Sequence, residues 1–312
     1  MKGTNSQITD TLLMIRPTNF GFNEEAFLSN SFQNKPLKEE EEFVHTLALD
    51  EFNAYVSQLK ELKVNVLVFD DIPNSLSLDS IFPNNWISFH ENGSLFQHSM
   101  MVENRRKERR ADIVEFFETK YGFNSTDLSS SENRVHPTFL EGTGSMIFDH
   151  SSKKVYAAVS PRTDAELLTD FASKIGYDSI QFEAYGGKGE AIYHTNVMLC
   201  IGEDYAVVGL DTIKESQREL VKNTLIKDGK EIIELTNDQV YNHFAGNMLQ
   251  IKNKQEERIL VMSQNAFESM TSDQIKQLEL FNRHILHVSI PTIEKIGGGS
   301  ARCMIAEVFK PN

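Results

Sequence analysis

The chain of 312 residues is 40% hydrophobic and 24% charged, the balance of an ordinary globular protein with material for a sizeable core. Its net charge of −14 argues against nucleic acid as a general partner, and no apolar run approaches membrane-spanning length. Cys200 and Cys303 lie far apart and make neither a disulfide framework nor a metal pair, and residues 1–10 hold no apolar signal core, so a cytoplasmic protein is expected.

In chain order, Thr11 to Arg16 (TLLMIR) reads as a first strand stopped by Pro17. The segment 20–39 is polar, and its Phe20, Phe22, Phe27 and Phe32 follow no period, which predicts a loop rich in turns. The acidic run Glu39 to Glu42, a solvated face, opens a helix over Phe43 to Leu62 with apolar residues at helical spacing. Val64 to Phe69 predicts a buried strand, and Ile87 to Phe96 a hairpin turned at Asn92-Gly93. A helix is expected from Asn104 to Phe117, with Arg106, Arg109 and Arg110 on its outer face. At the far end, Gly297, Gly298 and Gly299 run into Cys303 and a short apolar strand, Met304 to Phe309. Glycines let the backbone turn sharply and approach a ligand closely, so a thiol there can face a cleft.

From Asn85 onward the chain repeats itself. A polar residue opens an apolar strand, and a turn, a second strand, a helix and a third strand follow. The openings are Asn85, Glu141, His194, Asn247 and Cys303, spaced 53 to 56 residues apart, although Asn242 competes with Asn247 for the fourth position. A fixed period built from one supersecondary unit announces a propeller-like array, and five units consume the whole chain as one domain, 1–312. The first strand would complete the unit that the C-terminus leaves unfinished. Equivalent positions then converge on the axis. A thiol, an imidazole and a carboxylate brought together there are the parts of an activated nucleophile.

Several of these stretches resemble the penteins, the guanidine-modifying superfamily of arginine deiminases, dimethylarginine hydrolases and amidinotransferases. Leu140-Glu141-Gly142-Thr143-Gly144 is similar to the family's (L/I)(E/D)GGD, His194-Thr195-Asn196 to H-x-D, and Ala301-Arg302-Cys303-Met304 to (P/A)RCM. Asp79-x-x-Phe82-x-Asn84-Asn85 resembles D-x-x-F-x-E-D, Arg105-Arg106-Lys107-Glu108 resembles RRKE, and Ser160-Pro161-Arg162-Thr163 resembles S-x-R-T. The resemblance implies an α/β fold, a fivefold propeller of ββαβ modules with its active site on the axis and no cofactor. It implies Cys303 as nucleophile, His194 as general acid/base and Glu141 as the group that holds His194. Arg105 and Arg162 match positions that bind a substrate carboxylate, where Arg suits a planar bidentate partner.

Departures from the family pattern point to the substrate. Where arginine-acting members place acids around the guanidinium, this chain has the amides Asn84, Asn85 and Asn196, and the Asp of GGD is replaced at Gly144 or Ser145. A buried guanidinium without a carboxylate is an unpaired charge, costing on the order of several kcal/mol. A neutral ureido group has a C=O that accepts and an NH2 that donates, and an Asn amide serves both. The pattern resembles the citrulline-hydrolase (ureidase), arginine-deiminase-related branch. The expectation is a hydrolase that takes citrulline to ornithine, CO2 and ammonia through an S-carbamoyl cysteine. Protonated His194, assisted by Arg302, is expected to hold the thiolate. The alternatives are an arginine deiminase or amidinotransferase acting on a guanidino substrate, or a non-catalytic amino-acid-binding propeller.

The partner expected is a small amino acid, with neither nucleic acid nor membrane, and the sequence leaves open whether the chain forms a homo-oligomer. Cys200 reads as core, and His90, His98, His150 and His284 lack partners at useful spacing. Trp86 either walls the pocket or packs in the core. Gly186-Gly187-Lys188-Gly189 lacks the spacing of a phosphate loop and is expected to be a mobile loop beside the site.

Overall fold

Short strands of β-branched and aliphatic residues, each followed by a polar turn, set the architecture, which a computed structural model describes for residues 6–72 and 77–311. Among the described residues, fifteen strands form five sheets of three. In one sheet Ile87–Phe89 (β3) and Ser94–Gln97 (β4) pair antiparallel, and Asn124–Asp127 (β5) returns parallel to β4 across the helix Ala111–Tyr121. Ile147–Asp149 (β6), Lys154–Ala158 (β7) and Asp178–Phe182 (β8) repeat the order. So do Leu199–Ile201 (β9), Tyr205–Val208 (β10) and Glu231–Glu234 (β11), and Leu249–Lys252 (β12), Arg258–Ser263 (β13) and His284–Val288 (β14). The fifth sheet joins the two ends of the chain. Ala306–Glu307 (β15) pairs antiparallel with Thr11–Arg16 (β1), and Asn65–Asp70 (β2) lies parallel to β1.

The five repeat openings meet in a ring. Gly142 and Gly144 pack on Asn84 and Asn85, Glu141 bonds His194, Asn247 bonds Asn196 and Cys303, and Phe82 closes against Gly297 and Gly299. Asn247, not Asn242, holds the fourth position.

Four details differ from the sequence expectation. The strand predicted over 64–69 is half-exposed, because β2 is the outer strand of its sheet. The segment 20–39 is a loop apart from one short helical turn, Glu24–Phe27, capped by Asn23. The helix expected from Asn104 to Phe117 is two pieces, a 3-10 turn Glu103–Glu108 and a helix Ala111–Tyr121, with Arg109 extended between them. Arg109 is drawn inward by a bidentate ion pair with Glu132, and Arg106 also reaches Glu132, so neither sits on an outer face. After Cys303 only β15 pairs, where Met304 to Phe309 was expected to run as a strand, because the turn extends through Met304. Trp86 packs in the core with Leu13 and Ile87, and Cys200 is buried in β9. Among the described residues no helix is long and apolar enough to cross a membrane.

Candidate active site

Each axial residue sits where a turn hands over to the first strand of a module. Asn84 and Asn85 end a 3-10 turn started by Pro83, whose fixed φ suits a helical first position. Glu141 precedes the turn 142–145, and His194 precedes the turn 195–197. Cys303 lies in the turn that follows the glycines, and Tyr55 of the helix Glu41–Glu61 anchors that turn by donating to the carbonyl of Ala301 at 3.3 Å.

Glu141 Oε2 accepts from His194 Nε2 at 2.7 Å. Burial works against the Glu141 charge, but Arg162, the His194 hydrogen bond and Arg105 outweigh it and hold the carboxyl down to about 2. The carboxylate is therefore ionised, Nε2 carries the ring proton, and Nδ1 keeps its lone pair. Burial pushes His194 itself down to about 4 against the pull of Glu141, so the free ring is neutral near pH 7.

Cys303 Sγ faces amides. Asn247 Nδ2 donates to it at 3.2 Å and Asn196 Nδ2 at 3.3 Å. Burial raises the thiol, opposed in turn by the Ser300 backbone, Asn247, Arg302 and Asn196. Arg302 is turned away, bonded to Glu307 at 2.7 Å and to the carbonyl of Ile305 at 2.9 Å. Against the expectation that protonated His194 holds the thiolate stands the downward pull of burial on the ring. The buried ring is neutral, and the sulfur's side-chain hydrogen bonds come from Asn247 and Asn196.

A second chain of contacts fixes the other amides. Glu108 takes two hydrogen bonds from Arg105 at 2.9 Å each, and Arg105 Nη1 donates to Asn85 Oδ1 at 2.8 Å. Asn85 Nδ2 must then point the other way, and it donates to Asn84 Oδ1 at 3.1 Å. Asn84 Nδ2 is left as a buried donor without a partner, and Asn196 Oδ1 as a buried acceptor without one. Asp79 Oδ1 is a further unpartnered acceptor, while Asp79 Oδ2 holds Asn23 at 2.7 Å and lies 3.7 Å from Arg105.

Both arginines expected to bind a carboxylate are already engaged. Arg105 orients Asn85, a role the sequence did not suggest. Arg162 lies over the Tyr193 ring, 3.5 Å from Glu141, and donates to Ser29 Oγ and the carbonyl of Ala26. Ser29 belongs to the segment 23–34, a strap tied to Gly297 and Gly298 through Asn30 and Gln33. Under it Cys303 is 3% exposed and His194 2%, so the site is closed. The glycine loop 186–189 closes on itself through Glu190 and is tied to the helix Asn237–His243 by Tyr241.

Sequence reasoning set Asn247 among the axial openings without giving it a role, named Gly144 only as a departure from the family pattern, and missed the strap. Asn247 carried a signal, since it stood in register with the other openings. Gly144 is needed because a Cβ there would lie 2.5 Å from Asn85 Nδ2 and 2.8 Å from His194 Nδ1. Those two side chains close over a backbone that can carry nothing. Asn23 and Ser29 gave no signal, being polar residues in an aperiodic loop.

The model of a family described as N,N dimethylarginine dimethylhydrolase, eukaryotic, matches residues 16–310. No curated protein matches the chain in sequence. Among solved structures, the N-terminal domain of ArgZ, an arginine dihydrolase from the ornithine-ammonia cycle in cyanobacteria, aligns in its substrate-bound form with a TM-score of 0.74. Identity is 14% over 96% of this chain and 98% of that one. AgrE in complex with L-arginine aligns at 0.75 and 14% identity, with 96% of this chain but 40% of that chain covered. A dimethylarginine dimethylaminohydrolase carrying an adduct with S-methyl-L-thiocitrulline aligns at 0.63 and 17% identity over 96% of this chain and 99% of the other. At such identities the likeness is one of fold, the fivefold pentein propeller.

Proposed function

Because the chain belongs to the N,N dimethylarginine dimethylhydrolase family, we propose that it is a cysteine hydrolase of a ureido amino acid, converting citrulline to ornithine, CO2 and ammonia. The observation that carries this reading is the pair of buried amide atoms without partners, one donor on Asn84 and one acceptor on Asn196. The orientation of Asn84 is not arbitrary, since Arg105 can only donate and fixes Asn85, which in turn fixes Asn84. A ureido oxygen takes the donor and a ureido NH2 meets the acceptor. A guanidinium, all donors, would face the Asn84 N–H group, and the unpartnered carboxylate oxygen of Asp79 is assigned here to the α-ammonium. Asp79 Oδ1 supplies an acceptor for an α-ammonium, and Arg162 a partner for the α-carboxylate once Ser29 gives way.

In this reading the Cys303 sulfur bonds to the ureido carbon as its proton passes to His194 Nδ1, and Glu141 stabilises the imidazolium. His194 then gives the proton to the δ-nitrogen, the C–N bond breaks, and ornithine leaves an S-carbamoyl enzyme. Water, deprotonated by His194, adds to the carbamoyl carbon and releases the thiol and carbamate, which decays to CO2 and ammonia.

The family match favours a second reading, hydrolysis of a guanidino substrate such as dimethylarginine. Ornithine and citrulline are to be assayed from citrulline, arginine and N,N-dimethylarginine offered in parallel, with Cys303→Ala as control. Ornithine from citrulline, absent in the control, supports the ureido reading. Turnover of dimethylarginine or arginine with citrulline left untouched overturns it.

A further inference from the structure

One residue on the axis has a part in neither the motifs nor the proposed reaction. Asn247 sits at the fourth opening, fully buried, and both its side-chain polar atoms are committed. Its Oδ1 accepts from the backbone N–H of Arg302 at 3.0 Å and of Cys303 at 3.3 Å. Those two bonds leave no freedom to flip, so Nδ2 must face the carbonyl of Asn196 at 3.0 Å and the Cys303 sulfur at 3.2 Å. One side chain thus fixes both the peptide that carries the nucleophile and an N–H aimed at its sulfur.

We propose that Asn247 is the positioning residue of this site, the side chain that seats Cys303 and stabilises the charge its sulfur takes on as the proton leaves, through a neutral amide rather than a cation. The inference rests on Cys303 being the reactive thiol and not on which substrate the site accepts. An N–H donor stabilises an anion more than a neutral thiol, and it does so with added strength where water is excluded. Asn196 assists from the neighbouring module, and the Ser300 backbone from the cysteine's own turn.

The charged and titratable groups around the sulfur do not replace it. Arg302 spends its guanidinium on Glu307 and Ile305. Tyr55 and Tyr193 approach from the helix 41–61 and from the residue before His194, and burial keeps both phenols protonated. The His194 ring is hydrogen-bonded to Glu141, and Glu294 is held by Ser300. A neutral stabiliser also suits a site whose proposed substrate brings no charge to help the thiol ionise.

The test is the pH dependence of Cys303 alkylation by iodoacetamide, followed by mass spectrometry of the peptide that contains it. This separates Cys303 from Cys200 and needs no turnover. The proton of the free thiol exchanges with solvent, so the inflection reports what stabilises the sulfur's charge. Asn247→Asp keeps the acceptor for both backbone N–H groups and replaces the donor with an acceptor. It should move the inflection up by at least about one pH unit, a roughly tenfold slower alkylation at pH 7. His194→Gln and Arg302→Met should move it by less than a third as much. An unmoved inflection in Asn247→Asp, or a larger shift in His194→Gln, overturns the proposal. Should Asn247→Asp fail to fold, the side-chain NH2 resonances of Asn247 in the unaltered protein decide. They should titrate together with the thiol, and constant shifts through its inflection overturn the proposal. Loss of citrulline turnover with these titrations as expected would count against the ureido reading alone.

Discussion

At the sulfur of Cys303 the surroundings are amides, and around His194 they are arranged by a residue that has no side chain. A Cβ at Gly144 would fall 2.5 Å from Asn85 Nδ2 and 2.8 Å from His194 Nδ1. Gly144→Ala must therefore push both groups out of line, and misplacement by about 1 Å costs on the order of 100-fold in rate. We expect kcat/KM to fall by at least that factor with little change in far-UV circular dichroism. Asn85 offers the complementary test. An Asp there would pair with Arg105 Nη1 as the Asn does, but would lose the Nδ2 donor that orients Asn84. On the ureido reading, Asn85→Asp should lower citrulline turnover by at least ~100-fold, since a site built to hydrogen-bond its substrate discriminates strongly when one partner is wrong. Competition assays should at the same time show tighter binding of arginine. Unchanged citrulline kinetics would remove Asn85 from the substrate's surroundings.

The helix Glu41–Glu61 shows how an element far from the chemistry supports it. Its buried face, Val44, Ala48, Phe52, Tyr55, Val56 and Leu59, follows the helical period and packs on the sheet that joins the chain ends. Tyr55, three residues beyond Phe52, donates to Ala301 in the turn that carries Cys303. Phe52→Ala leaves a cavity beneath that contact and should cost about 3–5 kcal/mol in urea unfolding. Turnover should be impaired in the surviving folded fraction, because Tyr55 loses its backing. The strap 23–34 is the opposite kind of element. It has little core of its own, Leu28 is 87% exposed, and it is held by hydrogen bonds through Asn23, Ser29, Asn30 and Gln33 and by the Phe32 ring against Tyr193 and Phe244. An amino acid that reaches Arg162 has to displace Ser29.

For the whole molecule, one source of pH sensitivity is a group of buried imidazoles. His90, His98 and His150 lie in an aromatic cluster with Phe148 and Phe171, and Ser88 Oγ bridges His90 Nε2 and His98 Nε2. Burial is the leading cause that pushes His98 down to about 3, His150 to about 4 and His90 well below the usual range. The unfolded chain titrates these rings near pH 6.5 and so binds more protons than the folded one below that point. Stability should be full above about pH 6.5 and fall as the pH drops toward 4. Thermal melts across that range should show a declining Tm, and His98→Gln, which keeps a hydrogen-bonding group beside Ser88, should flatten the decline. A Tm that stays level between those pH values would mean the rings are not held neutral.

Much of this was legible in the chain. The period of 53 to 56 residues determined the five modules, the placement of the openings on the axis and the completion of the last sheet by the first strand, because each module is a local pattern of short apolar strands and turns. Cys303, His194 and Glu141 are polar interruptions at the same point of that pattern, so their meeting could be expected from spacing. Spacing could not say which way each side chain faces or what it spends its hydrogen bonds on. Arg105 has the sequence position of a carboxylate binder, yet the packing of Glu108 beside it makes it the orienter of Asn85. Asn247 had the right register, but its grip on the Cys303 backbone depends on the fourth and fifth modules meeting at the axis. Hydrogen-bond direction between residues far apart in sequence, and the loss of water that neutralises His194, exist only once the ring has closed.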